Sequence, residues 1–215
     1  MIKLVKKIRV RLRRIVREVH KRPKVYGVGL LCIGIIGAYT ISYMNRQLTV
    51  NPKTCEPLLE LIAQAESKRN YNAYFGNAAN TEVQFTKMSV ADVINWQDEF
   101  IAKGSPSSAV GRYQIINTTL KGLVRQLNID VDQPFDEVMQ DEFAMTLLEK
   151  RGVTDYVNKR ISKEQFAAEL AKEWAALPRV LGDMPDRSYY ADDGLNNALV
   201  TSDEVLKAIE AIEPK

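Results

Sequence analysis

Apolar residues recur at helical spacing along most of the chain after residue 54. Thr54 is a candidate N-cap, and Pro57 falls in the first turn of the helix that would follow. The apolar positions of this segment share one helix face: Leu58, Leu61, Ile62 and Ala65. The pattern predicts a first helix that ends near residue 66.

Further helices are marked by the same spacing and by capping signals. Ser89 and Asp92 form a capping pair that opens a helix stopped by Gly104. Ser162 and Thr201 each stand three residues before a Gln or Glu, which is the pattern of a capping box. The helical segments predicted after residue 104 are 117–127, 135–151, 162–176 and 201–212.

One polar, asparagine-rich stretch, residues 69–86, breaks the helical pattern. Its last part, residues 81–86, alternates polar and apolar side chains as a short strand or hairpin arm does. The sequence contains no internal repeat. We therefore expect a mainly α domain, of the α+β kind, with one small β element.

The run from residue 25 to residue 44 contains no charged side chain. Its 20 residues would rise about 30 Å as a helix, which matches the hydrocarbon core of a bilayer. The flanking charges disfavour the alternative of a buried core helix. A cleaved signal peptide is disfavoured because the run is too long and no small-residue cleavage pattern follows it. The run predicts one N-terminal transmembrane helix.

The uncharged run separates a basic N-terminal segment from an acidic remainder of the chain. Residues 1–24 hold 11 of the 30 Lys and Arg but only one acid, Glu18. The chain from residue 45 onward carries 19 basic and 26 acidic groups, which leaves a net charge of −7. Basic flanks stay in the cytoplasm, so the following domain should lie on the periplasmic or outer side of the host inner membrane, or of a virion membrane.

The basic tail, residues 1–24, also places apolar residues at helical spacing among its Lys and Arg. We expect it to lie as an amphipathic helix on anionic lipid headgroups. Nucleic acid would be attracted by the same charge and is the less favoured partner. Residues 45–53 form a short polar linker to the domain, residues 54–215.

The residue types outside the tail restrict the chemistry of the domain. The single histidine, His20, lies in the tail, so catalytic sites and zinc sites that use histidine are excluded from the domain. No P-loop and no GxGxxG occurs. Cys32 and Cys55 are expected to be unpaired thiols. Carboxylates remain, and carboxylate acid–base chemistry in an outward-facing domain points to cleavage of glycosidic bonds.

Glu66 is the carboxylate best placed for such chemistry. It follows Ile62 by four residues, so it lies at the edge of the apolar face near the helix end. Partial removal from water there would raise its pKa toward values useful to a general acid. From position alone, an ordinary surface glutamate is the stronger interpretation.

Three blocks of sequence favour a catalytic role for Glu66 over that of an ordinary surface residue. They are AESKRNYNAYFG at 65–76, SSAVGRYQIINTTLKGLVRQL at 107–127 and EWAALP at 173–178. In this order they resemble the phage lambda endolysin type of lytic transglycosylase, within the lysozyme-like superfamily, over residues 55–180. The membrane anchor and the chain beyond residue 180 are not part of that pattern.

The resemblance implies the roles of individual residues. Glu66 would be the catalytic acid and base. The residues that would position or bind the substrate are Ser67, Tyr71, Tyr74, Tyr113 and Gln114. Neither a cofactor nor a metal is implied.

The resemblance further implies a lytic transglycosylase of phage or prophage origin. Its partner would be the peptidoglycan glycan strand, cut at the β-1,4 bond between N-acetylmuramic acid and N-acetylglucosamine. A hydrolytic muramidase is the alternative enzyme, with Glu82 in the predicted β element as the second carboxylate. A non-catalytic peptidoglycan-binding or assembly protein is a further alternative, which the intact Glu66 disfavours.

The charge asymmetry predicts a single-span topology that can be tested directly. Protease added to spheroplasts should digest residues 55–215, while an epitope tag on residues 1–20 stays protected. Moving eleven cationic side chains across the bilayer instead would be prohibitively costly. A digested tag together with a protected domain would show that the orientation is inverted.

Overall fold

The computed structural model describes residues 50–212, in which the chain forms seven α-helices. We number them α1 to α7 in chain order: Glu56–Ser67, Val90–Ala102, Asn117–Leu127, Glu137–Lys150, Val153–Val157, Lys163–Leu170 and Ser202–Glu210. Short 3₁₀ turns lie at Pro52–Cys55, Phe85–Lys87 and Ala191–Asp193. The described part of the chain contains no β-strand, so the domain is mainly helical.

Helix α1 turns its apolar face into the core. Leu58, Ile62 and Ala63 are fully buried, and each large aliphatic side chain contributes about 1.5–3 kcal/mol to folding when it leaves water. Helix α7 packs against both α1 and α6, so the C-terminal helix covers the same core. This packing fixes the rotation of α1 about its axis and therefore the direction of the side chains at its end.

The capping signals correctly locate the starts of α2, α6 and α7. The Ser89 hydroxyl accepts the N–H of Asp92 and begins α2. Reciprocal capping boxes begin α6 at Ser162 and α7 at Thr201. Helix α3, Asn117–Leu127, has the predicted bounds. These ends are decided by contacts within four residues, which is why the local sequence predicts them.

The start of α1 differs from the prediction. Thr54 does not cap the helix but lies in the 3₁₀ turn Pro52–Cys55, which Asn51 caps by accepting the N–H of Lys53 at 3.1 Å. The Thr54 hydroxyl donates back to the carbonyl of Asn51 at 2.8 Å. The α-helix therefore begins two residues after Thr54.

The predicted helix 162–176 is too long, because α6 ends at Leu170. Trp174 and Leu177 are buried, yet the backbone between them forms turns. In a continued helix the N–H of Ala176 would bond to the carbonyl of Lys172. It donates instead to the Glu66 side chain at 3.0 Å, a long-range contact that no local pattern records. The short helix α5 was not predicted at all.

The predicted β element is wrong. Residues 81–86 form bends and the start of a 3₁₀ turn. The Asn80 side chain satisfies this backbone in place of a partner strand. Its carbonyl oxygen accepts the N–H groups of Glu82 and Val83 at 3.1 Å, and its amide donates to the carbonyl of Val83 at 2.8 Å. β structure in residues 50–212 is limited to isolated bridges.

No helix in residues 50–212 is long and apolar enough to cross a bilayer. The predicted span, residues 25–44, lies outside the described residues. So do the basic tail, residues 1–24, and most of the linker, residues 45–53. The anchor and its lipid contacts therefore stay predictions.

The turn that contains the GRYQ motif depends on a close backbone approach. Gly111 has a φ of +79°, and a Cβ atom there would lie 2.3 Å from Oε1 of Gln140. Gln140 is fully buried on α4. Its Oε1 accepts the N–H of Arg112 at 2.9 Å, and its Nε2 donates to the carbonyls of Tyr71 and Phe135 at 3.1 Å. One side chain thus joins three chain segments.

Replacing Gly111 by Ala should destabilise the protein strongly, because the methyl group displaces the Gln140 amide from its three partners. Gly76→Ala is a matched control, since Gly76 has a φ of +80° and open space around it. Backbone strain alone should cost the control about 1 kcal/mol, and the clash should cost Gly111→Ala at least about 2 kcal/mol more. Urea unfolding of both variants measures the difference; equal losses would contradict the close packing.

Candidate active site

A cleft of about 500 Å³ opens beside the C-terminal end of α1. Six stretches of chain line it: the end of α1, Phe75 in the loop that follows, residues 106–119, the end of α4, and the segments at 172–175 and 190–196. Of the residues that the sequence singles out, Glu66, Tyr113 and Gln114 line this cleft. Ser67, Tyr71 and Tyr74 are not among its lining residues.

Glu66 lies in the last turn of α1, which ends where Lys68 adopts the left-handed conformation with φ of +54°. Its side chain is partly buried, and its Oε1 atom accepts the N–H of Ala176 at 3.0 Å. Burial raises the pKa of Glu66 to about 7, and the Ala176 N–H opposes part of that rise by stabilising the charged form. The negative end of the helix dipole acts in the same direction as burial.

A carboxyl group with a pKa near neutrality suits acid–base catalysis. Both protonation states of Glu66 are populated near pH 7, so the group can donate a proton and take one back within a reaction cycle. Its position at the cleft surface gives it access to a bound ligand.

Ser67 lies behind the cleft surface, away from the position that a substrate contact would need. The side chain is fully buried, and its hydroxyl donates to the carbonyl of Arg112 at 2.7 Å and lies 3.0 Å from the carbonyl of Ala63. These contacts hold the end of α1 against the GRYQ turn. Ser67 therefore supports the position of Glu66 and has no exposed surface with which to touch a substrate.

Tyr113 and Gln114 lie in the GRYQ turn and line the same cleft as Glu66. Tyr113 is 3% exposed, and its hydroxyl donates to Oδ1 of Asp141 at 2.8 Å. Gln114 adopts a positive φ of 48°, and its amide donates to the carbonyl of Gly111 at 2.9 Å. Tyr113 therefore offers the cleft very little surface, whereas Gln114 is only partly buried and its side-chain carbonyl oxygen can accept a hydrogen bond.

Tyr71 belongs to a polar cluster behind the GRYQ turn. Its hydroxyl lies 3.0 Å and 3.1 Å from the two carboxylate oxygens of Asp141, and the Arg112 guanidinium stands 4.8 Å from its ring centre. Burial, with the negative charge of Asp141, raises the pKa of Tyr71 to about 12. Asp141 thus accepts hydrogen bonds from Tyr71 and Tyr113 together, and fixes the turn to α4.

Tyr74 packs in an aromatic cluster rather than in the cleft. Its ring centre lies 5.4 Å from those of Trp96 and Phe100 and 6.4 Å from that of Phe85. Its hydroxyl accepts the side-chain amide of Asn77 at 3.1 Å. The interpretation of Tyr74 as a cleft residue is therefore not supported by its surroundings.

The other carboxylates near the cleft are already engaged. Glu173 accepts from Arg151 at 2.7 Å and 2.8 Å, and only 8% of its side chain is exposed. Asp193 accepts the N–H groups of Leu195 and Asn196, which lower its pKa. Glu82, the predicted second carboxylate, is exposed in an irregular loop and does not line the cleft.

No group of three or more His, Cys, Asp or Glu side chains that could hold a metal ion occurs among residues 50–212.

Cys55 is buried and unpaired, as the sequence suggested, and burial raises its pKa to about 11. Cys32 lies outside the described residues.

Several residues that shape the site were missed from the sequence. Ala176 was missed because its contribution is a backbone N–H, which carries no side-chain signature. Gln140 and Asp141 were missed because they are ordinary polar residues on a helix, and the partners that they hold in the GRYQ turn lie 28 positions away. The WAALP block around Ala176 was the one available signal.

Comparison with known proteins identifies a family. A sequence model described as Endolysin matches residues 56–193. Among solved structures, the chain is similar to bacteriophage lambda lysozyme complexed with a chitohexasaccharide, at 17% sequence identity and a TM-score of 0.47, over 75% of this chain and 94% of that one. No curated protein sequence matches significantly. The family match includes Glu66, the GRYQ turn and Ala176.

The raised pKa of Glu66 predicts a stability effect that depends on pH. Between about pH 4.5 and pH 7 the folded state binds the Glu66 proton more tightly than the unfolded chain does, so stability falls as the pH rises. The neutral variant Glu66→Gln should therefore be more stable than wild type at pH 8, by on the order of 2 kcal/mol. The gain should vanish near pH 4, where Glu66 is protonated in both states.

Urea unfolding at pH 4 and pH 8 measures this difference. Glu142→Gln, which changes an exposed glutamate on α4, serves as the control and should show little effect at either pH. A Glu66→Gln variant that is less stable than wild type at pH 8 would contradict this prediction. It would show that the charged Glu66 carboxylate does not destabilise the folded state.

Proposed function

This chain belongs to the endolysin family, and from that premise we propose that it is a lytic transglycosylase of peptidoglycan. The family match supports an enzyme that degrades peptidoglycan. The proposed reaction cleaves the β-1,4 bond between N-acetylmuramic acid and N-acetylglucosamine, with Glu66 as the single catalytic acid and base.

The observation that supports this proposal is the setting of Glu66. One carboxyl group in the cleft combines a pKa of about 7, a fixed N–H partner at 3.0 Å and access to the cleft. The protonated form would donate to the glycosidic oxygen as the bond breaks. The Ala176 N–H would then stabilise the carboxylate that remains.

The second half of the reaction follows from that carboxylate. It would take the proton of the C6 hydroxyl group of the muramic acid as that oxygen closes on C1. The product would be a 1,6-anhydro sugar, and the carboxyl group would return to its protonated form. No water is consumed, so one group that changes protonation state twice is sufficient.

Hydrolysis would require a second carboxylate to activate a water molecule or to bind the sugar covalently. Glu173 is committed to Arg151, and Asp193 to the backbone of its own loop. Neither is free for that role, and Glu82 does not line the cleft. This arrangement favours the transglycosylase over the muramidase. The intact acid site likewise favours an enzyme over a non-catalytic binding protein.

The residues proposed to meet the glycan are those that line the cleft beside Glu66. Gln114 would hydrogen-bond to the sugar or its acetamido group, and Tyr113 would contact the ring with its exposed edge. The proposed location is a membrane surface outside the cytoplasm, with residues 25–44 as the anchor and the basic tail on anionic lipids.

Products released from murein distinguish the two enzymes. The wild-type protein should release muropeptides that end in 1,6-anhydro-muramic acid, lighter by one water than the reducing ends left by hydrolysis. Mass spectrometry of the soluble products reads this difference directly. Glu66→Gln should lower the rate of release at least about 10²-fold, because the amide cannot donate the catalytic proton.

Glu82→Gln is the matched control, since it makes the same change at the carboxylate that a muramidase was expected to use. It should keep wild-type activity. Reducing products together with an inactive Glu82→Gln variant would establish hydrolysis. Near-normal turnover by folded Glu66→Gln would remove Glu66 from the mechanism.

A further inference from the structure

The peptide group between Ala175 and Ala176 is hydrogen-bonded at both ends. Its N–H, from Ala176, donates to Oε1 of Glu66 at 3.0 Å. Its carbonyl, from Ala175, accepts the hydroxyl of Ser188 at 2.7 Å. The donor that faces Glu66 and the acceptor that faces Ser188 therefore belong to one rigid, planar unit.

Ser188 is itself part of the chain of hydrogen bonds. The residue is 1% exposed, and its oxygen accepts the backbone N–H of Tyr190 at 3.2 Å while its hydroxyl donates to Ala175. The complete relay runs from the Tyr190 N–H through the Ser188 hydroxyl and the 175–176 peptide to Glu66. Each donor in this relay points along it toward the Glu66 carboxyl group.

Such a relay has two physical effects. The Ser188 hydroxyl fixes the orientation of the peptide plane, which aims the Ala176 N–H at Glu66. It also draws electron density toward the Ala175 oxygen, which makes the N–H at the other end a stronger donor, by about 10–30% for one added bond in a chain. Both effects are lost if the hydroxyl is removed.

The same stretch of backbone is supported at its other polar groups. The carbonyl of Ala176 accepts the N–H of Leu199 at 2.8 Å. The carbonyl of Lys172 accepts the hydroxyl of Tyr190 at 2.8 Å and a guanidinium N–H of Arg151 at 3.3 Å. The orientation of the 175–176 peptide therefore depends most directly on Ser188, while its position along the cleft depends on these neighbours.

We propose that Ser188 is a positioning residue for the reaction, which acts on Glu66 through the Ala175–Ala176 peptide group. The proposal rests on the proposed function only in taking Glu66 as the reacting acid. It assigns a part in positioning the catalytic carboxyl group to the segment after residue 180, which the sequence resemblance did not cover.

Other charged groups near Glu66 could also change its pKa. No charged side chain is among the causes of the raised pKa of Glu66, which are burial and the opposing Ala176 N–H. The titratable and charged groups that share the cleft come from the GRYQ turn, the end of α4 and the segments after α6: Tyr113, Lys150, Arg151, Lys172, Glu173, Tyr190 and Asp193. Substitution of Ser188 removes none of these side chains, but it takes the hydrogen-bond acceptor from the backbone N–H of Tyr190.

The test compares Ser188→Ala with wild type in the full-length protein. The reaction requires protonated Glu66, so activity falls as the pH rises through the pKa of Glu66. A weaker Ala176 donor stabilises the carboxylate less and raises that pKa. The alkaline limb of kcat/KM on murein should therefore move to higher pH, by roughly half a unit. Ser188→Thr keeps the hydroxyl and should restore the wild-type profile.

A titration independent of activity completes the test. The side-chain carboxyl ¹³C signal of Glu66, assigned by its absence in Glu66→Gln, should titrate at higher pH in Ser188→Ala than in wild type. Ser89→Ala, which removes a serine cap at α2, is the control for loss of a hydroxyl and should leave the titration unchanged. Where Ser188→Ala does not fold, the near-isosteric Ser188→Cys, a weak donor, is measured in its place.

An unchanged Glu66 titration in a folded Ser188 variant would overturn the proposal. Activity lost equally at every pH, with no movement of the limb, would show that Ser188 is only structural and would also overturn it. The proposed function is tested by a different result: it would be contradicted by near-normal activity of the Glu66→Gln variant. The carbon titration remains informative in that case.

Discussion

The N–H of Ala176 donates to Glu66 across 110 positions of sequence, and the site depends on this contact. Burial of a carboxyl group at a helix end makes it hold its proton more tightly. One amide donor offsets part of the desolvation and leaves the pKa at about 7. The fold must hold α1 and the segment after α6 at a fixed separation to keep that donor in place.

Polar side chains, rather than a sheet, hold the surrounding loops. Gln140 joins the GRYQ turn to α4 and to the loop after Glu66, and Asn80 replaces the missing strand partner. Arg151 and the nearly buried Glu173 join the end of α4 to the segment that carries Ala176. Removing one partner from such a buried group leaves the other unsatisfied, so these contacts specify a single arrangement of the cleft.

Helix positions were largely predictable from the sequence, and the reason is local. The caps at Ser89, Ser162 and Thr201 are formed by groups three residues apart, so the sequence contains all of the interacting atoms. The alternation at residues 81–86 was misleading because a strand needs a partner, and periodicity cannot show whether one is present. Buried residues at helical spacing likewise continued past Leu170, where the helix had already ended.

The sequence by itself determined the helical framework, the location of Glu66 near the end of α1 and, through three short blocks, the family expectation. It could not determine what surrounds that carboxyl group. Ser67 and Tyr74 were predicted to meet substrate but are held by Arg112 and by an aromatic cluster. Ala176, Asp141 and the supports of the cleft were decided only by tertiary structure. The physical reason is that hydrogen bonds and desolvation act over a few ångströms in space, whatever the separation of the residues along the chain.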